Sequence, residues 1–370
     1  MPGPIWLAPS AYHPTLGGIQ EMTAQLARRL QQRGHRVQVL TNRWPAGTAA
    51  REMVGGVEVL RLDMPAPGLR PTRLPSYRAA AGATARSLDR IAAEFRPELI
   101  HVVGASWHAT HVARLAARRD LPLVLTLQGE TAMDDTRLYE RGVRSLLVRS
   151  ALKRVAAQAA AVTACSRWAL DHAAAIAPAL ATGEVVPNGV DVAALAGTGP
   201  VPASGPILAY GRLVPNKGFD LLIAAMAQLP ELQLRLGGNG PEEEHLRSAA
   251  EAVGNVELIG RLDRAGVARE LAACRLVVMP SRLEPFGMVA LEAMAAGRPV
   301  VASSVGGAGE FVQGGVLVDP TDTPALVEAI RESLRHPERG EQGRVAAREL
   351  DWEFITARYA DIFSRVQRGA

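Results

Sequence analysis

The feature that most constrains this chain is a rhythm that runs, lapses once and restarts. PIWLAPS (residues 4–10) predicts a strand, and Thr15 to Gly18 a Gly-rich loop after it. In the segment that follows, apolar Ile19, Met22, Leu26 and Leu30 recur at helical spacing, and Gly34 supplies the stop. HRVQVLTN, VEVLRLD, ELIHVVG, LPLVLTLQ and AAVTACS are the next strands, with helical segments between several of them. The rhythm lapses at AALAGTGPVPASGP, then resumes through PILAYG, LQLRLGG, NVELIG, RLVVMPS, RPVVASS and GVLVD. Strands alternating with helices build parallel sheets covered on both faces. The expectation is therefore α/β, with two doubly wound parallel-sheet domains at residues 1–195 and 205–350, a linker at 196–204 and a cleft between them. The length of 370 residues agrees, being too great for one ordinary core.

Composition excludes several classes. The net charge of +4 is modest, and no Lys/Arg run exceeds three residues, so nucleic acid is not an expected partner. The longest uncharged stretch, Val192 to Gly211, is broken by Gly, Pro and Ser and is no membrane span. Cys165 and Cys274 sit in apolar contexts outside any metal-ligand spacing, which predicts two reduced core thiols. MPGPIWLAPS lacks the basic region and apolar stretch of a signal peptide, so a cytoplasmic protein is expected, with peripheral contact at the inner membrane face left open. No strand is followed by GxGxxG, no GxxxxGK[ST] is present, and neither HExxH, CxxC nor DxD offers a metal site.

Function belongs in the loops beyond the carboxyl ends of such strands. In YGRLVPNKGFD, Arg212 and Lys217 leave a strand and open a helix. A guanidinium and an ammonium there can neutralise a diphosphate leaving group without a metal ion, although an isolated pair of cations is more often solvated. In PSRLEPFGMVALEAMAAGRP, Glu284 lies in a loop, the amides of Phe286, Gly287 and Met288 lead into a helix, and Glu292 falls a turn inside it. Those amides can receive an anion. Glu292, in the apolar context VALEAMAA, needs a hydrogen-bonding partner such as a ribose diol. GGNGPEEEHL, with Gly238, and SSVGGAGEFV, with Gly306, Gly307 and Glu310, supply two further Gly-rich turns.

Taken in order, PIWLAPSAYHPTLGGIQEMTAQLARRLQQRGHRVQVLT, TACSRW, VVPNGVDV, GRLVPNKGFDLLI, GGNGP, PSRLEPFGMVALEAMAAGRPVVAS and VGGAGEFV resemble the retaining glycosyltransferases of family 4, nearly end to end. Glu284 and Glu292 match that family's Glu-x7-Glu motif. The resemblance implies the GT-B architecture, two facing Rossmann-like domains, with a last helix at 353–368 packing back on the N-terminal acceptor-binding domain. It implies a nucleotide-sugar donor, UDP- or GDP-linked, on the C-terminal domain. Arg212 and Lys217 would contact its diphosphate and Glu292 its ribose. Glu284 would face the sugar, with the amides of Phe286, Gly287 and Met288 near the phosphate. Gly211, Gly238 and Arg261 would complete the donor side, Arg261 with Gly260 near the base. Gly17 and Gly18 would bring amides of the other domain to the diphosphate. No metal or further cofactor is implied.

One departure stands out: many members carry a histidine after the fourth strand, where this chain has Gln128 in LTLQGET. Glutamine can bond a sugar hydroxyl but cannot titrate. Gln128, Glu130 and His13 are thus the acceptor-side candidates, with His101, His108 and His111 as scattered histidines beside them. The resemblance implies transfer of a hexose-type sugar to a hydroxyl with retention, by front-face displacement without a protein nucleophile. A nucleotide-sugar epimerase and a silent nucleotide-sugar binding protein are the alternatives. Finally, Arg137, Arg141 and Arg144 fall at helical spacing, followed by Arg149, Lys153 and Arg154. Such a face fits anionic lipid or a charged acceptor, and equally a solvated surface over an apolar stripe.

Overall fold

The computed structural model describes residues 3–15, 17–66, 74–129 and 143–369, backbone only at 143–145 and 147. The chain divides into two compact units, Met1–Asn188 with Trp352–Ala370, and Gly189–Asp351.

In the first unit, the strands are β1 (Ile5–Pro9), β2 (Val37–Asn42), β3 (Arg51–Val54), β4 (Val57–Leu62), β5 (Leu99–Val103), β6 (Leu123–Leu127), β7 (Ala161–Ala164) and β8 (Glu184–Val185). They form one sheet in the order β3-β4-β2-β1-β5-β6-β7-β8. All neighbours are parallel except the β3–β4 hairpin. Six of these strands are apolar runs that the sequence announces. β3, REMV, alternates exposed and half-covered residues at the sheet edge, and β8 is only two residues long, so neither carries an apolar signal.

The helices of this unit are α1 (Gly18–Gln32), α2 (Leu74–Phe95), α3 (Trp107–Arg118), α4 (Val143–Ala156) and α5 (Arg167–Ile176). Met22, Leu26 and Leu30 of α1 are buried, as their spacing predicts, and Gly34 follows with φ 87°. Ser166 caps α5 by accepting from the Ala169 amide. A last helix, Trp352–Gln367, joins this unit and buries Trp352, Ile355, Tyr359, Ile362 and Phe363.

The second unit holds β9 (Ile207–Arg212), β10 (Leu234–Asn239), β11 (Val256–Gly260), β12 (Leu276–Met279), β13 (Val300–Ser303) and β14 (Val316–Val318). The sheet order is β11-β10-β9-β12-β13-β14, all parallel. The chain thus winds outward from β9 in one direction, then returns to β12 and winds in the other. The carboxyl ends of β9 and β12 flank the switch point, where such sheets bind ligands. Its helices are α6 (Val192–Leu195), α7 (Phe219–Met226), α8 (Glu243–Val253), α9 (Arg264–Ala273), α10 (Met288–Ala295), α11 (Thr323–Arg335) and α12 (Arg339–Ala347), and the last helix is α13. Phe219, Leu222, Ile223 and Met226 of α7 pack with Leu326 and Ile330 of α11 under β9, β10 and β12.

The Gly/Pro stretch at 196–204 lies within the second unit rather than between units. Buried Arg298 explains this: its guanidinium donates to the carbonyls of Thr198 and Gly199 and of Leu271 and Ala272. The Thr198 hydroxyl also bonds the Ala296 carbonyl, at 2.9 Å. A segment with turn composition is thereby held as part of a core.

Candidate functional site

β9 delivers Tyr210, Gly211 and Arg212 to the carboxyl edge of the second sheet, and a 3-10 turn at Pro215–Lys217 then leads into α7. The loop after β12 is tied to this turn. The Arg282 amide donates to the Asn216 carbonyl at 2.8 Å, and its guanidinium donates to the Pro215 carbonyl and grips Asp220 through two bonds of 2.7 and 2.6 Å. Partial burial opposes the Asp220 charge, but the guanidinium more than offsets it and holds the carboxyl below its ordinary range. The two switch-point loops therefore form one braced structure.

Into this brace come Lys217 and Glu284. The Lys217 ammonium donates to Oε2 of Glu284 at 2.7 Å, and the Ser281 hydroxyl donates to the same oxygen at 3.1 Å. Glu284 is also fixed through its backbone, its amide bonding the Val305 carbonyl and its carbonyl receiving the Gly307 amide. Between these bonds lies Gly306, at φ 126°, where a Cβ would fall 2.0 Å from the Glu284 carbonyl oxygen. The close approach that this glycine permits is made to Glu284 itself. Glu310 lies in a short 3-10 turn and is exposed.

Gly287 caps the amino end of α10 at φ 112°, and a Cβ there would lie 2.9 Å from the Met279 methyl. The glycine keeps the turn compact and leaves the first-turn amides of α10, beginning with Met288, without intrahelical acceptors. Phe286 itself points into the core, stacked on Phe311 with centroids 4.5 Å apart. Glu292, one turn on, accepts from the Tyr210 hydroxyl at 2.5 Å. The sequence signals that this carboxylate needs a partner; the structure supplies one from within the chain. Burial pushes the Glu292 carboxyl up, the Tyr210 bond opposing it, and burial beside Glu292 pushes the Tyr210 phenol well up. Oε1 of Glu292 has no hydrogen-bond partner among the described residues.

Gly238 stands in register with Gly211, so close that a Cβ would lie 1.9 Å from the Gly211 carbonyl oxygen; strand packing alone accounts for it. Arg212 and Arg261 are exposed at the ends of β9 and β11. Sequence reasoning missed Tyr210, Asp220, Ser281 and Arg282. Only the position of Tyr210, two residues before Arg212 at a strand end, could have marked it.

In the first unit, Gly17 and Gly18 are exposed at the start of α1. Gly17 is extended, at φ 164°, so no backbone strain requires glycine there. His13 sits edge-on to Tyr12, its carbonyl taken by the buried guanidinium of Arg61. Gln128 is not left open for a sugar as anticipated. Its amide exchanges two hydrogen bonds, 3.0 and 2.9 Å, with the amide of Asn188. Glu130, Arg137 and Arg141 lie outside the described residues, as does the Arg144 side chain. Lys153 and Arg154 of α4 are exposed, with Ala151, Leu152 and Val155 buried beneath. His101, His108 and His111 are all buried and internally bonded, to Thr126, to Ser106 and the Ala8 carbonyl, and to the Pro65 carbonyl. Both cysteines are buried thiols outside any disulfide, burial pushing the Cys274 thiol up to about 12. Among the described residues no helix is long and apolar enough to cross a membrane.

Comparison with known proteins bears on the family and the fold. Residues 16–194 match the family described as Glycosyltransferase Family 4, and residues 204–350 match the Glycosyl transferases group 1. The chain is 30% identical, over 96% of its length and 92% of the relative's, to glycogen synthase of Mycobacterium tuberculosis (strain CDC 1551 / Oshkosh). It is 33% identical to the GDP-mannose-dependent monoacylated alpha-(1-6)-phosphatidylinositol monomannoside mannosyltransferase of Corynebacterium glutamicum, over 60% of this chain and 66% of that one. Its fold is similar to the crystal structure of Anabaena Alr3699/HepE in complex with UDP and glucose, with a TM-score of 0.76 at 20% identity, covering 97% and 99% of the two chains.

Proposed function

The chain is a glycosyltransferase of family 4, built of the two parallel-sheet α/β units of the GT-B fold, and from that premise we propose that it moves a hexose-type sugar from a UDP- or GDP-sugar to a hydroxyl acceptor, with retention and without a metal ion. The observation that carries this reading is the braced switch point, where Lys217 meets Glu284 and Tyr210 meets Glu292. Oε1 of Glu292 accepts a ribose hydroxyl. Lys217, Arg212 and the first-turn amides of α10 take the diphosphate, supplying positive charge where the leaving group gains negative charge. Glu284 faces the sugar hydroxyls. UDP, bound in Alr3699/HepE, and GDP-mannose, on which the Corynebacterium enzyme depends, belong to those proteins and set the donors to try first.

Glu284 serves as a binding group, not a nucleophile, its Oε2 held by the Lys217 ammonium and the Ser281 hydroxyl. The acceptor oxygen attacks the anomeric carbon on the face that the nucleotide leaves. The bond from that carbon to the phosphate oxygen breaks, and that oxygen takes the acceptor's proton. Nuclear magnetic resonance of products, formed in EDTA from each donor with an acceptor panel, tests this. The donor's anomeric configuration kept in a new glycoside is the expected result. An inverted product, a glycosyl adduct on Glu284, an altered donor formed without acceptor, or an absolute need for Mg²⁺ would each overturn part of it.

A further inference from the structure

The first unit holds a cavity of about 790 Å³ between α2 and the strands β2 and β4, a volume typical of small-molecule sites. Its origin is the way α2 lies. This helix of 22 residues buries only Thr84, Leu88, Ala92 and Phe95, a stripe one residue wide, whereas α1, with 15 residues, buries seven. A helix lying flat on a sheet covers a broader face. α2 leans on α3 instead and leaves a groove along β4.

The floor of the groove is apolar, from Leu60, Leu62, Ala83 and Ile91. One end is cationic, lined by Arg36, Arg51 and Arg90. Glu58 and Glu94 also line that end, but both are drawn to Arg51. Among the described residues, neither Arg36 nor Arg90 has a carboxylate within 4.0 Å, although the Arg36 charge also acts on Glu58 from farther off. Arg36 lies over the Phe95 ring, 5.1 Å from its centroid, which fixes a guanidinium at the mouth. At the other end Arg43 faces Asp63 at 4.0 Å, and buried Arg61 spends its charge on Glu52 and on the carbonyls of Ala49 and His13. Because Arg36 precedes β2 and Arg90 sits near the end of α2, the cationic end is at the amino edge of the strands, away from the edge where α1 begins.

We propose that this groove is a binding site for an anionic amphiphile, its anion on Arg36 and Arg90 and its apolar chain along Leu60, Leu62 and Ile91. Guanidiniums recognise phosphate-like groups through paired hydrogen bonds, and the apolar floor gives a chain a place to leave water. The site lies in a different unit from the donor residues and does not depend on the transfer reading.

Calorimetric titration with dodecyl phosphate below its micelle concentration tests the proposal, with dodecyl maltoside and inorganic phosphate as controls. Saturable binding at one molecule per chain is expected, with each control weaker by about tenfold or more. An Arg36→Glu/Arg90→Glu variant should lose about tenfold or more for dodecyl phosphate, while Ile91→Glu should lose the chain's contribution and fall toward the affinity of inorganic phosphate. Both variants change exposed or half-covered residues, and an unchanged melting temperature verifies their fold. Equal binding of the neutral detergent, equal binding of inorganic phosphate, or wild-type affinity in the double arginine variant would overturn it. Nucleotide binding, measured on the same samples, reports separately on the donor site.

Discussion

Lys217 and Glu284 hold one another at 2.7 Å, so replacing either changes two things: the proposed donor contact goes, and the survivor loses its counter-charge. Lys217→Ala should lower kcat/KM by roughly 10- to 100-fold, the range of a lost charge-assisted bond of about 1.5–3 kcal/mol, with a smaller loss in melting temperature. Initial rates on a saturable donor check this; a fall in stability alone, with kcat/KM intact, would show the pair to be purely structural. Tyr210→Phe is the sharper probe of Glu292. The phenol bond favours the ionised carboxylate against burial, so its removal drives the carboxyl further up. Donor affinity in Tyr210→Phe should therefore fade at a higher pH than in the wild type as solutions are made more acidic, and an unshifted profile would contradict the assignment. Glu292 was legible in sequence because a carboxylate in an apolar helix demands a partner. Tyr210 was not, because the pair is 82 residues apart and spacing reports a face, not what meets it.

At the scale of elements, apolar runs marked every strand except β3 and β8, which carry none. β3 pairs only at an edge, and β8 is too short to show a pattern. The segment 196–204 shows a related gap: its Gly/Pro content signals turns, but not the bonds from Arg298, about a hundred residues later, that tie it to the second unit. Similarly, Gly306 is visible as a glycine but its purpose is not, since the atom it makes room for is the Glu284 carbonyl. Gly306→Ala should cost about 1–3 kcal/mol and weaken donor binding, because the Glu284 loop must shift to admit the methyl. Gly254→Ala is the control. It also sits at positive φ, 83°, but with nothing within 4 Å of the new Cβ, so about 1 kcal/mol and unchanged donor affinity are expected. Urea unfolding and nucleotide titration of the two variants separate strain from collision.

For the molecule as a whole, the buried histidines divide the two units in acid. Burial pushes His101 down to about 3, and burial, against a bond to the Ala8 carbonyl, pushes His108 down to about 4; both belong to the first unit. A histidine lowered in the fold takes up protons more readily when unfolded. Its contribution is therefore complete above pH 6.5 and is lost as pH falls toward the folded values. At pH 5 each should cost the first unit about 2 kcal/mol relative to pH 7.5. Calorimetry should show the first unit's transition moving down in acid, and a His108→Gln variant should move less. Tyr359 and Phe363 of α13 pack their rings, tilted, against His101, so removal of residues 352–370 should lower that same transition.

If the second unit binds a nucleotide-sugar through its switch point, equilibrium binding of UDP, GDP, ADP and dTDP in EDTA will show it. One of these should raise the melting temperature, by the equivalent of about 2.7 kcal/mol at a hundredfold excess over Kd. That shift should vanish in Lys217→Ala and in Glu292→Ala. A shift that survives in both variants, or none with any nucleotide, would contradict the account.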